Sequence, residues 1–156
     1  MTTEEMEYAI SRKFDVRTHL MVPNISWGLL RHEADMLVVR INSGYCLEFE
    51  IKRTFADYKK DFSKAKWRNG LSKMIKEFTY VFPAKLYYKR KKEILELLPE
   101  FAGVLIIHDR QKSMFASFEI RPKINPGSKP LSNTQLFKLA HLGSMRIWSL
   151  KRRLIK

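Results

Sequence analysis

Glu50, Ile51 and Lys52 set a carboxylate and an ammonium group two residues apart, and Asp35 lies one short hairpin upstream. Residues two apart in a strand share a face, so Glu50 and Lys52 project together. If the chain turns at Asn42-Ser43-Gly44, the entry of the preceding strand brings Asp35 to that same side. Two carboxylates converging within a few Ångström can ligate a hard divalent cation, with water filling the other positions. A lysine beside them can orient or help deprotonate an attacking water. The chemistry implied is hydrolysis of a phosphodiester, with cation and lysine offsetting the charge that builds on the phosphoryl group.

Positioning these groups requires a hairpin followed at once by a helix. MLVVRI is a compact aliphatic run, and YCLEFEIK alternates, sending Leu47, Phe49 and Ile51 to one face and Glu48, Glu50 and Lys52 to the other. The pattern predicts strands at 36–41 and 45–52. Thr54 caps the next helix, with Asp57 at the third position, and Phe55, Tyr58, Phe62 and Ala65 repeat at helical spacing, giving a helix over 55–67. Upstream, Thr2 and Glu5 form a capping box and Met6 and Ile10 fall one turn apart, which predicts a short first helix. Pro23 and Asn24 interrupt, and VPNISWGLL reads as a connection or a short extended piece.

Downstream, EFTYVF reads as a strand, Ile94, Leu97 and Leu98 as a short helix closed by Pro99, and Val104 to His108 as a buried strand. Ser113 to Ile120 alternates like an antiparallel partner at a sheet edge. Pro122, Pro126, Gly127 and Pro130 mark an internal loop at 121–131. Ser132 and Gln135 cap a basic C-terminal helix over 132–156, whose stripe of Leu136, Leu139, Ala140, Gly143, Ile147, Leu150 and Leu154 should pack on the core. The 156 residues make one domain.

Thirty lysines and arginines against sixteen acids give a net charge of +14, which attracts DNA, RNA or an anionic membrane surface. Lys52 to Lys76 carries nine basic residues and two acids, directly after the candidate hairpin. The single cysteine, Cys46, excludes an intramolecular disulfide and a cysteine-rich metal site. The polar start and the lack of an 18-residue apolar run predict a cytoplasmic chain that neither is exported nor spans a membrane.

With Asp35 ahead of Glu50-Ile51-Lys52, the chain resembles the PD-(D/E)XK nuclease superfamily, and EFEIKRTFADYKKDF with LPEFAGVLIIH looks like a little-characterised phage and bacterial subgroup of it. Ala34 stands where the motif has proline. The resemblance spans roughly Trp27 to His108. It implies a restriction-endonuclease-like α/β core, a mixed central sheet flanked by helices in the order α-β-β-β-α-β. It also implies Asp35, Glu50 and Lys52 as catalytic residues, Asp35 and Glu50 as ligands to Mg²⁺ or Mn²⁺, and a nucleic acid, most simply DNA, as partner. A core strand ahead of Asp35 is implied, for which 26–30 is the candidate. Many members add an acid on the first helix, where Glu5 and Glu7 stand, or a polar residue on the helix after the motif, where Asp57 or Lys60 stands. Arg53, Lys59, Lys60, Lys64, Lys66 and Arg68 would then hold the phosphate backbone. A homodimer is one option for the active form.

Plainer accounts compete with each assignment. Glu48, Glu50 and Lys52 can be one solvated strand face, Glu33 a surface glutamate instead of a water-mediated ligand, and Asp57, Lys60, Asp61 and Lys64 a set of surface ion pairs. Trp27, Trp67, Trp148, Tyr87 and Tyr88 can stack on bases or pack in the core. The histidines lack a metal-binding spacing, and no GxxxxGK phosphate loop exists. The competing functions are a metal-dependent nuclease, a non-catalytic nucleic-acid-binding module on the same fold, and a peripheral membrane or protein adaptor using the basic terminal helix.

Overall fold

A computed structural model describes residues 1–25, 29–30, 32–62, 71–110 and 113–155. The elements run α1 (Thr3–Lys13), β1 (His19–Ile25), β2 (Ala34–Arg40), β3 (Cys46–Ile51), α2 (Phe55–Asp61), β4 (Ile75–Pro83), α3 (Ala84–Lys89), α4 (Lys91–Leu97), β5 (Ala102–Arg110), β6 (Ser113–Ile120) and α5 (Asn133–Leu154). The six strands form a mixed sheet in sequence order. β1, β2 and β3 are antiparallel neighbours, β3, β4 and β5 are parallel, and β6 returns antiparallel to β5. Thus the α/β class and the leading order α-β-β-β-α-β are as expected.

Helices cover the two faces unequally. The parallel crossovers through α2 and through α3 and α4 lie on one face, as successive right-handed connections moving in one direction require. Tyr58, Tyr87 and Ile94 from those helices and Leu139 from α5 share a core with Val22, Leu37, Phe78, Tyr80, Val104 and Ile106. On the other face α1 stands alone, packing Met6, Ala9 and Ile10 with Phe49, Ile51, Val81 and Leu105. The strict alternation of β3 is therefore real. The Thr2–Glu5 capping box that opens α1 is also closed as the sequence predicts.

Two expectations need correction. The strand ahead of Asp35 is His19–Ile25; of the expected 26–30, residues 29–30 are not in a strand and 26–28 lie outside the described residues. Pro23 is tolerated because β1 is an edge strand, where a missing N–H need not break a ladder. The stripe on α5 is buried fully only at Leu139, while Ile147 and Leu150 are each 55% exposed and Leu154 is 86% exposed. The helix spans 22 residues, or about 33 Å, and touches the sheet mainly through β1, so its later turns run beyond the core. The described part of the predicted 55–67 helix ends at Asp61, with Phe62 as its cap.

The turn between β2 and β3 depends on Gly44, whose φ of +67° suits a residue without Cβ. No described helix is long and apolar enough to cross a membrane.

Gly103 on β5 offers a check of the β5–β6 register. A Cβ there would lie 2.6 Å from Pro122 Cδ and 2.9 Å from the Ile120 carbonyl oxygen, both fixed by the edge strand. Gly103→Ala should therefore cost about 1–3 kcal/mol in urea denaturation. An unchanged midpoint would contradict that close approach.

Candidate functional site

Glu48, Glu50 and Lys52 occupy the inner face of β3 and are 1%, 3% and 2% exposed, so the account of a solvated strand face is excluded. The Lys52 ammonium donates to Glu50 Oε1 at 2.8 Å and to Asp61 Oδ1 at 3.2 Å. Tyr80, which pairs with Glu50 across the parallel β3–β4 ladder, donates its hydroxyl to Asp61 Oδ2 at 2.8 Å. Burial by itself would lower the lysine pKa, but the charges of Glu50 and Asp61 and the Glu50 hydrogen bond outweigh it and raise the value. Lys52 therefore stays protonated at neutral pH.

Asp61 is the member of this cluster that the sequence reading assigned to surface ion pairs. Its position is legible in retrospect, since it lies one turn after the buried Tyr58 on the face that α2 turns to the sheet. Thr54 Oγ1 caps α2 by accepting from the Asp57 N–H at 3.1 Å, which fixes that face only three residues beyond β3. Glu48 contacts His32 Nε2 at 2.7 Å through its Oε1.

Asp35 enters from β2. The β2–β3 ladder runs to Met36 opposite Phe49, and one further step of that register sets Asp35 opposite Glu50. At this level the Asp35 carboxylate accepts the Ile51 N–H at 2.7 Å. The Asp35 carboxylate thus meets the β3 backbone at Ile51, between Glu50 and Lys52 in sequence.

Asp35 also lines a cleft of about 510 Å³ at the end of the sheet, between α1 and the later turns of α5, shared with Glu4, Glu7, Glu33, Arg146 and Arg153. Of the two acids considered on α1, Glu7 lies at this cleft. Glu5 instead closes the capping box, accepting the Thr2 N–H at 2.6 Å. Burial raises the Glu7 pKa, and the charges of Glu4 and Asp35 add to the rise, against the opposing effect of the Asn24 hydrogen bond and of Arg146. Arg53 and Asp57 at the start of α2 and Lys59 and Lys60 in its last turn are exposed, whereas Lys64, Lys66 and Arg68 lie outside the described residues, as do Trp27 and Trp67. Tyr87 is buried in the core and Trp148 is 64% exposed.

Among the described residues no group of three or more His, Cys, Asp or Glu side chains is placed to hold a metal ion. Asp35 and Glu50 carry carboxylate oxygens, the donor type that hard cations such as Mg²⁺ take.

No protein-family model and no curated protein matches the chain. Among solved structures, a protein of unknown function from Silicibacter pomeroyi is similar, with a TM-score of 0.63 and 16% identity over 100% of this chain and 92% of that one. The likeness supports the fold: a mixed α/β sheet flanked by helices.

Two outcomes test the electrostatics. Lys52→Met removes the shared ammonium from two buried carboxylates and should cost about 3–5 kcal/mol in urea denaturation at pH 7. In the native protein the lysine's contribution is complete below its ordinary value of 10.5 and is lost only as pH rises through the higher folded value. Glu7 has the opposite consequence, because its raised pKa means that ionisation weakens the fold. Glu7→Gln should raise the melting temperature at pH 7, and the difference from wild type should vanish as pH falls below the ordinary glutamate value of 4.5. A lower melting temperature for Glu7→Gln at pH 7 would contradict the assignment.

Proposed function

We propose that this chain is a metal-dependent nuclease that hydrolyses phosphodiester bonds in DNA, built on a restriction-endonuclease-like core and acting in the cytoplasm. The observation that carries the reading is the protonated Lys52 ammonium held 2.8 Å from Glu50, at the level where Asp35 meets β3. The leading element order and the charge of +14 support it further.

In this reading Asp35 and Glu50 hold Mg²⁺ or Mn²⁺. The bound cation would supply Lewis-acid activation of water and neutralise phosphate charge. Lys52, kept protonated by its carboxylate partners, orients the nucleophilic water and stabilises the charge developing on the phosphoryl oxygens. Asp61 and Tyr80 hold the ammonium in place, so they act through Lys52. Arg53, Lys59 and Lys60, exposed beside the site, contact backbone phosphates without reading sequence.

A second reading, a non-catalytic nucleic-acid-binding module on the same fold, is favoured by one feature. Glu50 and Lys52 are almost wholly buried, as expected of a cluster kept for structure.

Conservative variants separate the two, since truncating a buried charge would confuse loss of activity with loss of fold. Asp35→Asn retains an acceptor for the Ile51 N–H and Glu50→Gln retains one for Lys52. Asp35→Asn should leave melting and DNA binding near wild type, and Glu50→Gln should lower melting while leaving the protein folded and able to bind DNA; each should lower the cleavage rate by on the order of 10²–10³-fold. The assay uses single- and double-stranded DNA with Mg²⁺ and with Mn²⁺. Failure of the wild-type protein to cut either substrate with either cation would transfer the conclusion to the binding module.

A further inference from the structure

Two arginines of the C-terminal helix line the same cleft as Asp35. Arg146 and Arg153 lie seven residues apart, two helical turns, so they share a face and are separated by about 10 Å along the axis. That spacing approximates three nucleotide steps of one DNA strand at 3.4 Å each. Leu150, between them on the same face, also lines the cleft.

Arg146 is anchored, donating to the backbone carbonyl of Asn24 on β1. Arg153 is exposed, and among the described residues it makes no hydrogen bond or ion pair. Its effect is felt as a field that lowers the Glu4 pKa, after the larger effects of hydrogen bonding. A guanidinium not engaged by protein, on the wall facing a carboxylate that would ligate a cation, is disposed to receive the other anionic partner of that cation. Guanidinium suits phosphate oxygens because its donors form a planar fork.

We infer that Arg146 and Arg153 form a phosphate clamp, with α5 as one wall of the nucleic-acid cleft, gripping the backbone of the strand whose reacting phosphate lies at Asp35. The clamp deepens the nuclease reading, but its binding step needs no catalysis. Arg146, tied to the Asn24 carbonyl through one guanidinium nitrogen, keeps its other donors for phosphate, and Arg153 supplies the second contact. Arg152, about 100° round the helix, faces away from the cleft and serves as the matched control.

The test measures binding of a fluorescent duplex and of a single-stranded oligonucleotide by anisotropy, with EDTA present so that no cutting occurs. Arg153→Ala should weaken binding about 10-fold near 100 mM NaCl and reduce the salt slope by about one, with unchanged melting. Arg152→Ala should change affinity less than about 2-fold. The Arg146→Ala/Arg153→Ala double variant should reduce the slope by about two. Equal losses for Arg152→Ala and Arg153→Ala would reduce the effect to diffuse charge and overturn the clamp. Selective loss in Arg153→Ala, with a wild-type protein that never cuts, would sustain the clamp while removing the catalytic reading. Normal binding by Arg153→Ala in a protein that does cut would do the reverse.

Discussion

The ammonium of Lys52, enclosed between Glu50 and Asp61, is the interaction on which the rest of the architecture turns. It joins the end of β3 to the end of α2, and through Tyr80 it reaches β4, so three elements are set by one cation. Such an arrangement is costly to build, because each ion must be taken out of water before the pairing can offset that cost. Apolar residues of similar volume would hold the same three elements at least as well. The surrounding core shows how such a replacement would look, with Tyr58, Phe78, Tyr80 and Phe82 in edge-to-face contact. A charged cluster inside an aromatic shell therefore points to a task other than stability.

The task it suits depends on the proton inventory. An isolated buried lysine would lose its proton and become a base. This one is driven the other way by its carboxylates and remains a fixed positive charge. A fixed charge is useful where negative charge accumulates during a reaction, and it costs no reorganisation at that moment.

Much of this was legible from residue order. The β2–β3 hairpin, the capped start of α2, the capping box of α1 and the edge position of β6 each follow from a local signal that tertiary structure reinforces. β1 was not legible because Pro23 and Asn24 carry the marks of a turn, and only the edge position of the strand makes them acceptable. Nor was the burial of Glu48, Glu50 and Lys52, since alternation of charged and apolar residues is the same whether the charged face meets water or a helix. The clue lay elsewhere, in an acid one turn beyond a buried tyrosine on the following helix. The cleft was invisible for a further reason: Glu7, Asp35 and Arg146 are joined by chain folding alone.

The cleft lies at Asp35, where the β1–β2 ladder is interrupted between Pro23 and Ile25 and the β2–β3 ladder has ended at Met36 opposite Phe49. Asn24 stands opposite Asp35 in the β1–β2 register and takes a φ of +54°, a left-handed conformation in which asparagine is among the more tolerated residues. On the other side of β2, the Ile51 N–H is met by the Asp35 side chain. Asn24 then gives its side-chain amide to Glu7 and its carbonyl to Arg146, so the backbone irregularity is tied to α1 on one side and to α5 on the other. One aspartate therefore serves two ends. By capping the ladder it satisfies a backbone donor, and by standing where the sheet opens it presents its carboxylate to the space between the two helices. A change at Asp35 that preserved only its charge, or only its hydrogen bond, would disturb one of these and leave the other, and for this reason shape-preserving substitutions are the informative ones at this position.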